Sequence, residues 1–207
     1  MKLKKKAKRA IILILIVVAI IAGLVIYKKS NNKDTIKEAK VVNEIKKYGY
    51  QLKDNKPKKY QDMFSELKEI LTAKKVDEEA YVKKITEMFI YDFYSLNDKA
   101  AKTDVGGIDF VNSEIAENFL QNAENTYYKY VESNIYNNRK QSLPTVSEVK
   151  IESVEQEEYA YGEKTDEEAY HVTASWSYTD DNFSDYQKNA ELIFVHDGIK
   201  LVLVELQ

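Results

Sequence analysis

The stretch FIYDFY sets an acid among apolar side chains, with Phe89, Ile90, Phe93 and Leu96 around Asp92. A carboxyl in such surroundings has two fates. Desolvation raises its pKa, as a general acid needs, or hydrogen bonds from an amide or a tyrosine hydroxyl hold it ionised. The second reading leads, because the other tools of catalysis are few. The chain has two histidines, His171 and His196, and no cysteine, so thiol nucleophiles and thiolate metal sites are excluded. His196 opens a His-Asp-Gly turn without the second histidine that zinc sites use, so both imidazoles read as structural or exposed. Asp104 and Asp109 flank Val105-Gly106-Gly107-Ile108, but no calcium-loop spacing accompanies them, and the stretch reads as a turn. The same glycine pair lacks the further glycines and the lysine of a phosphate loop. Asp180, Asp181 and Asp185 form an acidic, solubilising turn. No catalytic residue, cofactor or metal ligand set emerges.

What remains is aromatic. Tyr91, Phe93 and Tyr94 fall on one helical stretch, Tyr127, Tyr128 and Tyr130 on another, and Trp176 with Tyr178 on one strand. Packing in a core is the plainer account. The sharper one is a pocket or interface built by Asp92, Phe93, Tyr94, Tyr127, Tyr130, Trp176 and Tyr178, since amphipathic tyrosine is what interfaces use.

The elements that position these residues follow from periodicity. After the turn Asp54-Asn55-Lys56-Pro57, a helix from residue 58 carries Tyr60, Met63, Phe64, Leu67, Ile70 and Leu71 at helical spacing. A second helix begins at VDEEAY, with Asp77 as its N-cap and two glutamates in its first turn. A third is expected from Asn112 or Ser113 to about Tyr136, with a stripe that includes Ile115, Phe119, Ala123, Tyr127, Tyr130 and Ile135. Beyond Pro144 the period changes to two. An opening strand with an irregularity near Val154 leads to AYHVTASWSY, where Tyr170, Val172, Ala174, Trp176 and Tyr178 share a face. Asp197-Gly198 marks a two-residue hairpin. The last strand, IKLVLVEL, is apolar on both faces, as a central or covered strand would be. The fold class is α+β: three helices packed on a four-strand antiparallel meander, spanning residues 58–207.

Upstream lies a different kind of sequence. Residues 10–27 carry no charge and make a helix of about 27 Å, enough to span a bilayer core. Lys2, Lys4, Lys5, Lys6, Lys8 and Arg9 precede the run and only Lys28 and Lys29 follow it, which puts residues 1–9 in the cytoplasm. The run is too long for a signal peptide and lacks an A-x-A-like cleavage site. Without cysteine it is no lipoprotein, so it reads as an uncleaved single-pass anchor in contact with membrane lipid. Residues 28–57 read as stalk and linker, with Val41–Leu52 undecided between helix and strand. The eight cations of the first 29 residues leave 23 basic against 34 acidic residues beyond them, a net charge of −11. Such an exterior repels phosphate polymers, so nucleic acid is excluded as a partner. A cysteine-free domain outside the membrane points to a bacterium, and a single span to a Gram-positive cell surface.

The order of three helices and then an antiparallel sheet resembles the nuclear-transport-factor-2-like, cone-shaped fold. A basic tip, one span and such a domain also resemble bitopic subunits of conjugation and type IV secretion channels. The segments IKKYGYQLKDN, FIYDFYSLNDK, DVGGIDFV and YVESNIY look like parts of a group of Firmicute single-span membrane proteins. The resemblance implies an extracytoplasmic, non-enzymatic assembly or scaffold domain with envelope protein partners, with a homo-oligomer as one form of assembly. Its alternative is a sensing module that takes a ligand or peptide in an aromatic-lined pocket. A hydrolase or isomerase on the same fold ranks third, and no catalytic residue carries over to this chain.

Overall fold

The computed structural model describes residues 39–207. The basic tip, the apolar run 10–27 and the first part of the expected stalk lie outside the described residues. Among the described residues no helix is long and apolar enough to cross a membrane.

The chain first makes a hairpin, β1 (Val41–Ile45) and β2 (Tyr50–Lys53), paired antiparallel. Its turn closes on Gly49, whose φ of 72° lies in the left-handed region that glycine tolerates. Alternation in β2 turns Tyr50 and Leu52 inward. Together with Ile45 and Tyr48 they join the main hydrophobic core. This corrects the expected linker: residues 39–57 belong to the domain, because the hairpin supplies part of its core.

Helix α1 (Lys58–Thr72) buries Tyr60, Met63, Phe64, Leu67 and Leu71, the stripe that its periodicity dictates. Helix α2 (Glu78–Tyr94) starts where Asp77 accepts a hydrogen bond from the Ala80 amide at 3.0 Å. From Met88 to Tyr94 every residue is buried, as befits a helix enclosed on all sides. Helix α3 (Ala116–Asn125) is ten residues long, well short of the expected run to Tyr136. Asn125 and Thr126 turn their side chains back onto the carbonyls of Gln121 and Asn122, and the following tract is rich in asparagine, β-branched and aromatic residues. These compete with or weakly support helix. The chain goes on in turns, with Tyr128 and Val131 buried and Tyr130 outward.

The sheet is the expected antiparallel meander, ordered β3 (Val146–Tyr161), β4 (Lys164–Tyr178), β5 (Asn189–Asp197), β6 (Lys200–Leu206). Its helix-facing side carries Tyr170, Val172, Ala174 and Trp176, all buried. Register shifts fall at Ile151/Ser153 and Glu157/Tyr159, on either side of the expected irregularity. β6 borders the sheet and is covered on both faces. On one, Leu201 and Leu203 enter the main core, and along the outer edge Val111 bridges Leu203 while the Asn112 amide donates to the Leu203 carbonyl at 2.9 Å. On the other, Val202 joins Ala169 and Val195 in a second small cluster under Tyr159 and Tyr161. The apolar run on both faces of β6 is thereby explained.

Candidate functional site

Asp92 sits in the last turns of α2 and is 4% exposed. Lys56, from the turn before α1, places its ammonium 2.7 Å from both carboxylate oxygens. Lys99, from the loop after α2 and itself 4% exposed, donates to Oδ1 at 2.8 Å. The Gly107 amide donates to Oδ2 at 2.8 Å. Burial by itself would raise this carboxyl; the charges of Lys99 and Lys56, with their hydrogen bonds, outweigh it and hold Asp92 far below the usual carboxylate range. Burial likewise opposes charge on Lys99, but Asp92 and Asp98 prevail and keep it firmly protonated. No histidine is among the partners of Asp92. The expected amide donor is present; the two lysines gave no signal in the sequence, since lysine is almost never a core residue unless paired.

The glycine pair has a packing role. A Cβ on Gly106 would stand 2.1 Å from the Asp92 carbonyl oxygen, so the loop lies directly against the helix end. Gly107 has a φ of 74° and no room for a Cβ against Phe89. Tyr128 locks the same place: its hydroxyl donates to the Phe93 carbonyl at 2.6 Å and accepts from the Gly106 amide at 3.1 Å. Asp104 accepts from the Ala100 amide at 2.8 Å and so closes a turn. Among the described residues no group of three or more histidine, aspartate and glutamate side chains is arranged to hold a metal.

The aromatic residues form one interlocked body. Phe93 stacks on Phe89 at 5.4 Å and on Tyr127 at 5.8 Å, and tilts against Phe119 at 5.3 Å. Tyr94 lies 4.2 Å from the ring of Trp176. The Trp176 ring N–H donates to the Tyr178 hydroxyl at 3.0 Å, which donates onward to the Gln187 carbonyl at 2.7 Å. The Tyr127 hydroxyl meets that of Tyr178 at 3.2 Å. With the Asp92 carboxylate engaged apart from them by Lys56, Lys99 and the Gly107 amide, five of the seven expected residues fall in one neighbourhood: Phe93, Tyr94, Tyr127, Trp176 and Tyr178. Tyr130 does not; it is 75% exposed on the turn beyond α3. The helical register that placed it inward ends at Asn125, and Tyr128 takes the inward position instead.

Where the end of α2, helix α3 and the end of β6 meet, a cleft of about 300 Å³ opens to solvent. Phe93, Tyr94, Phe119 and Tyr127 make its floor and walls, and Asn122, Thr126, Gln187 and Gln207 line it with amides and a hydroxyl. No charged side chain lines it. The histidines stand elsewhere: His171 Nδ1 lies 3.4 Å from Glu191, and His196 Nδ1 lies 2.8 Å from Asp166.

No protein family, curated protein or solved structure matches the chain.

Proposed function

We propose that this protein is a membrane-anchored, extracytoplasmic assembly domain without catalytic activity. Residues 10–27 hold it in the membrane, the N-terminus lies in the cytoplasm, and the domain outside associates with envelope proteins, as a subunit of a transfer or secretion complex does. The fold is read as cone-shaped and nuclear-transport-factor-2-like on its order of elements. The observation that carries the reading is the state of the cone. Interlocked rings fill it, and its buried carboxylate, Asp92, is engaged by Lys56, Lys99 and the Gly107 amide, so Asp92 is not free to act as an acid or base. The cleft at the mouth, lined by rings and neutral side chains, opens to solvent, and a second cavity of about 540 Å³ opens at Lys75, Asp77, Glu78, Glu79 and Tyr170.

A photo-cross-linking residue at the exposed Asn122 of α3, in the full chain in its native envelope, tests this. The expected result is one or a few discrete adducts with envelope proteins. Lipid adducts alone, or none, would overturn the reading. Protease added to wall-stripped cells is expected to digest residues beyond about 33 and leave a short N-terminal fragment; a protected C-terminus would reverse the orientation.

A second reading, a sensing module for a small apolar ligand or peptide, is favoured by the same cleft, because rings and neutral amides suit an uncharged guest. Trp176 packs on the cleft-lining Tyr94, so its fluorescence reports entry. A saturable change with a neutral aromatic compound supports this reading, and no change up to solubility removes it.

A further inference from the structure

The β3 strand borders the sheet and runs for 16 residues, against about five or six in an ordinary strand. Its first groups are satisfied from within: the Val146 amide donates to Ser95 Oγ at 3.0 Å, and the Ser147 carbonyl accepts from the Lys59 ammonium. From Glu148 onward its only strand partner among the described residues is β4. The other side is a free row of amides and carbonyls, which is a template for one more strand.

That border has two unlike faces. Val149, Ile151 and Val154 pair with Trp176, Ala174 and Val172 of β4 and so face the helices, yet each is only partly covered. Glu148, Glu155 and Glu157 pair with Ser177, His171 and Ala169 and face away, all exposed. Glu152, in the bulge, hydrogen-bonds Ser175 Oγ at 2.7 Å on that same face. The cation in this row, Lys150, is paired with Glu152 at 2.7 Å.

A strand laid beside β3 alternates its side chains between these rows. One set meets the half-covered aliphatic row, and the other meets the carboxylates. We propose that the β3 border takes an extended segment of a partner protein in which apolar and basic residues alternate. The inference rests on the reading that the domain works by association, but uses a surface other than the mouth cleft. A second copy of this chain is a poor occupant, because β3 against β3 sets glutamate rows together, and facing like charges destabilise a pair.

The probe is a peptide of about eight residues alternating lysine and valine, titrated into the full chain in detergent micelles and followed by amide and methyl NMR shifts. The expected shifts are confined to β3 and its valine and isoleucine methyls, saturate below about 1 mM, and weaken about tenfold or more at high salt. A peptide of the same composition with its lysines and valines in separate blocks is expected to bind about tenfold more weakly. The double change Glu155→Lys and Glu157→Lys is expected to weaken the lysine peptide about tenfold and to make a glutamate–valine peptide the better ligand. Should that reversal disturb the strand, Glu155→Gln with Glu157→Gln is expected to weaken binding about threefold. Saturating shifts elsewhere, indifference to charge reversal, equal binding of the blocked peptide, no binding at about 1 mM, or pairing of two chains through β3 would each overturn the proposal. If Asn122 still cross-links to envelope proteins, that failure removes only this border; if cross-linking also fails, the association reading goes with it.

Discussion

Asp92 is the anion that three separate stretches share, so its neutralisation reaches beyond one side chain. Asp92→Asn leaves Lys99 in the interior without its main counter-charge and weakens the hold on Lys56. Breaking a buried pair from one side costs about 3–5 kcal/mol, and urea unfolding at pH 7 is expected to show a loss of that order. The sign of the pH dependence follows from the depressed carboxyl. Its stabilisation is fully present above the unfolded aspartate pKa of about 4 and is lost as pH falls toward the folded value. The variant's stability is therefore expected to fall less steeply than the parent's below about pH 4. Gly106 is the second sensitive position. Gly106→Ala drives a methyl into the Asp92 carbonyl, and backbone atoms at a helix end yield little. Urea unfolding is expected to show a loss of about 3 kcal/mol.

Elements at the end of α2 are held by hydrogen bonds as much as by packing. Tyr128→Phe keeps the ring and strands the Phe93 carbonyl and the Gly106 amide, both buried. The expected loss is about 1–3 kcal/mol, and the Gly106 amide is expected to exchange with solvent markedly faster in the variant. The same place shows what could be read from sequence. The stripes of α1 and α2 and the alternation of β4 are local patterns with one solution, and they appear where periodicity puts them. Periodicity overextends helix α3, because Tyr127, Tyr130 and Ile135 keep helical spacing beyond the point where Asn125 and Thr126 turn their side chains onto the backbone. Tyr130 was lost to the candidate site for that reason. The partners of Asp92 were illegible on different grounds. Lys56 and Lys99 lie 36 and 7 residues away in sequence, in loops, and no local pattern marks a lysine as buried.

At the scale of the whole molecule, the boundary of the domain is the sharpest expectation. A fragment starting at residue 58 lacks Ile45, Tyr48, Tyr50 and Leu52 from the core, and Lys56 from the buried carboxylate. Removing four buried side chains, each worth about 1.5–3 kcal/mol, costs about 6–12 kcal/mol, as much as the whole stability of an ordinary domain of about 5–15 kcal/mol. Residues 39–207 are expected to unfold cooperatively in urea and residues 58–207 to show no cooperative transition. A cooperative transition in the shorter fragment would mean that the hairpin is an ornament. Val41–Leu52 carries no clear period, because its glycine-closed turn interrupts both helical and strand periodicity.

The enclosed tyrosines have an optical consequence. Burial holds the phenols of Tyr50, Tyr60, Tyr94, Tyr127 and Tyr128 above their ordinary range, and pushes Tyr81 up to about 12. Each such group favours the folded chain below the unfolded pKa of about 10, and that support is lost as pH rises toward the folded values. Lys99, also raised, acts in the same direction. In alkali, therefore, ionising these rings and opening the domain are one event. Beyond the share of the surface tyrosines, tyrosinate absorbance is expected to jump in a single cooperative step at the pH where far-UV ellipticity collapses. Made without any attached dye, the domain carries its own indicator, and a gradual rise to the full tyrosinate amplitude with the fold intact would show that solvent already reaches those rings.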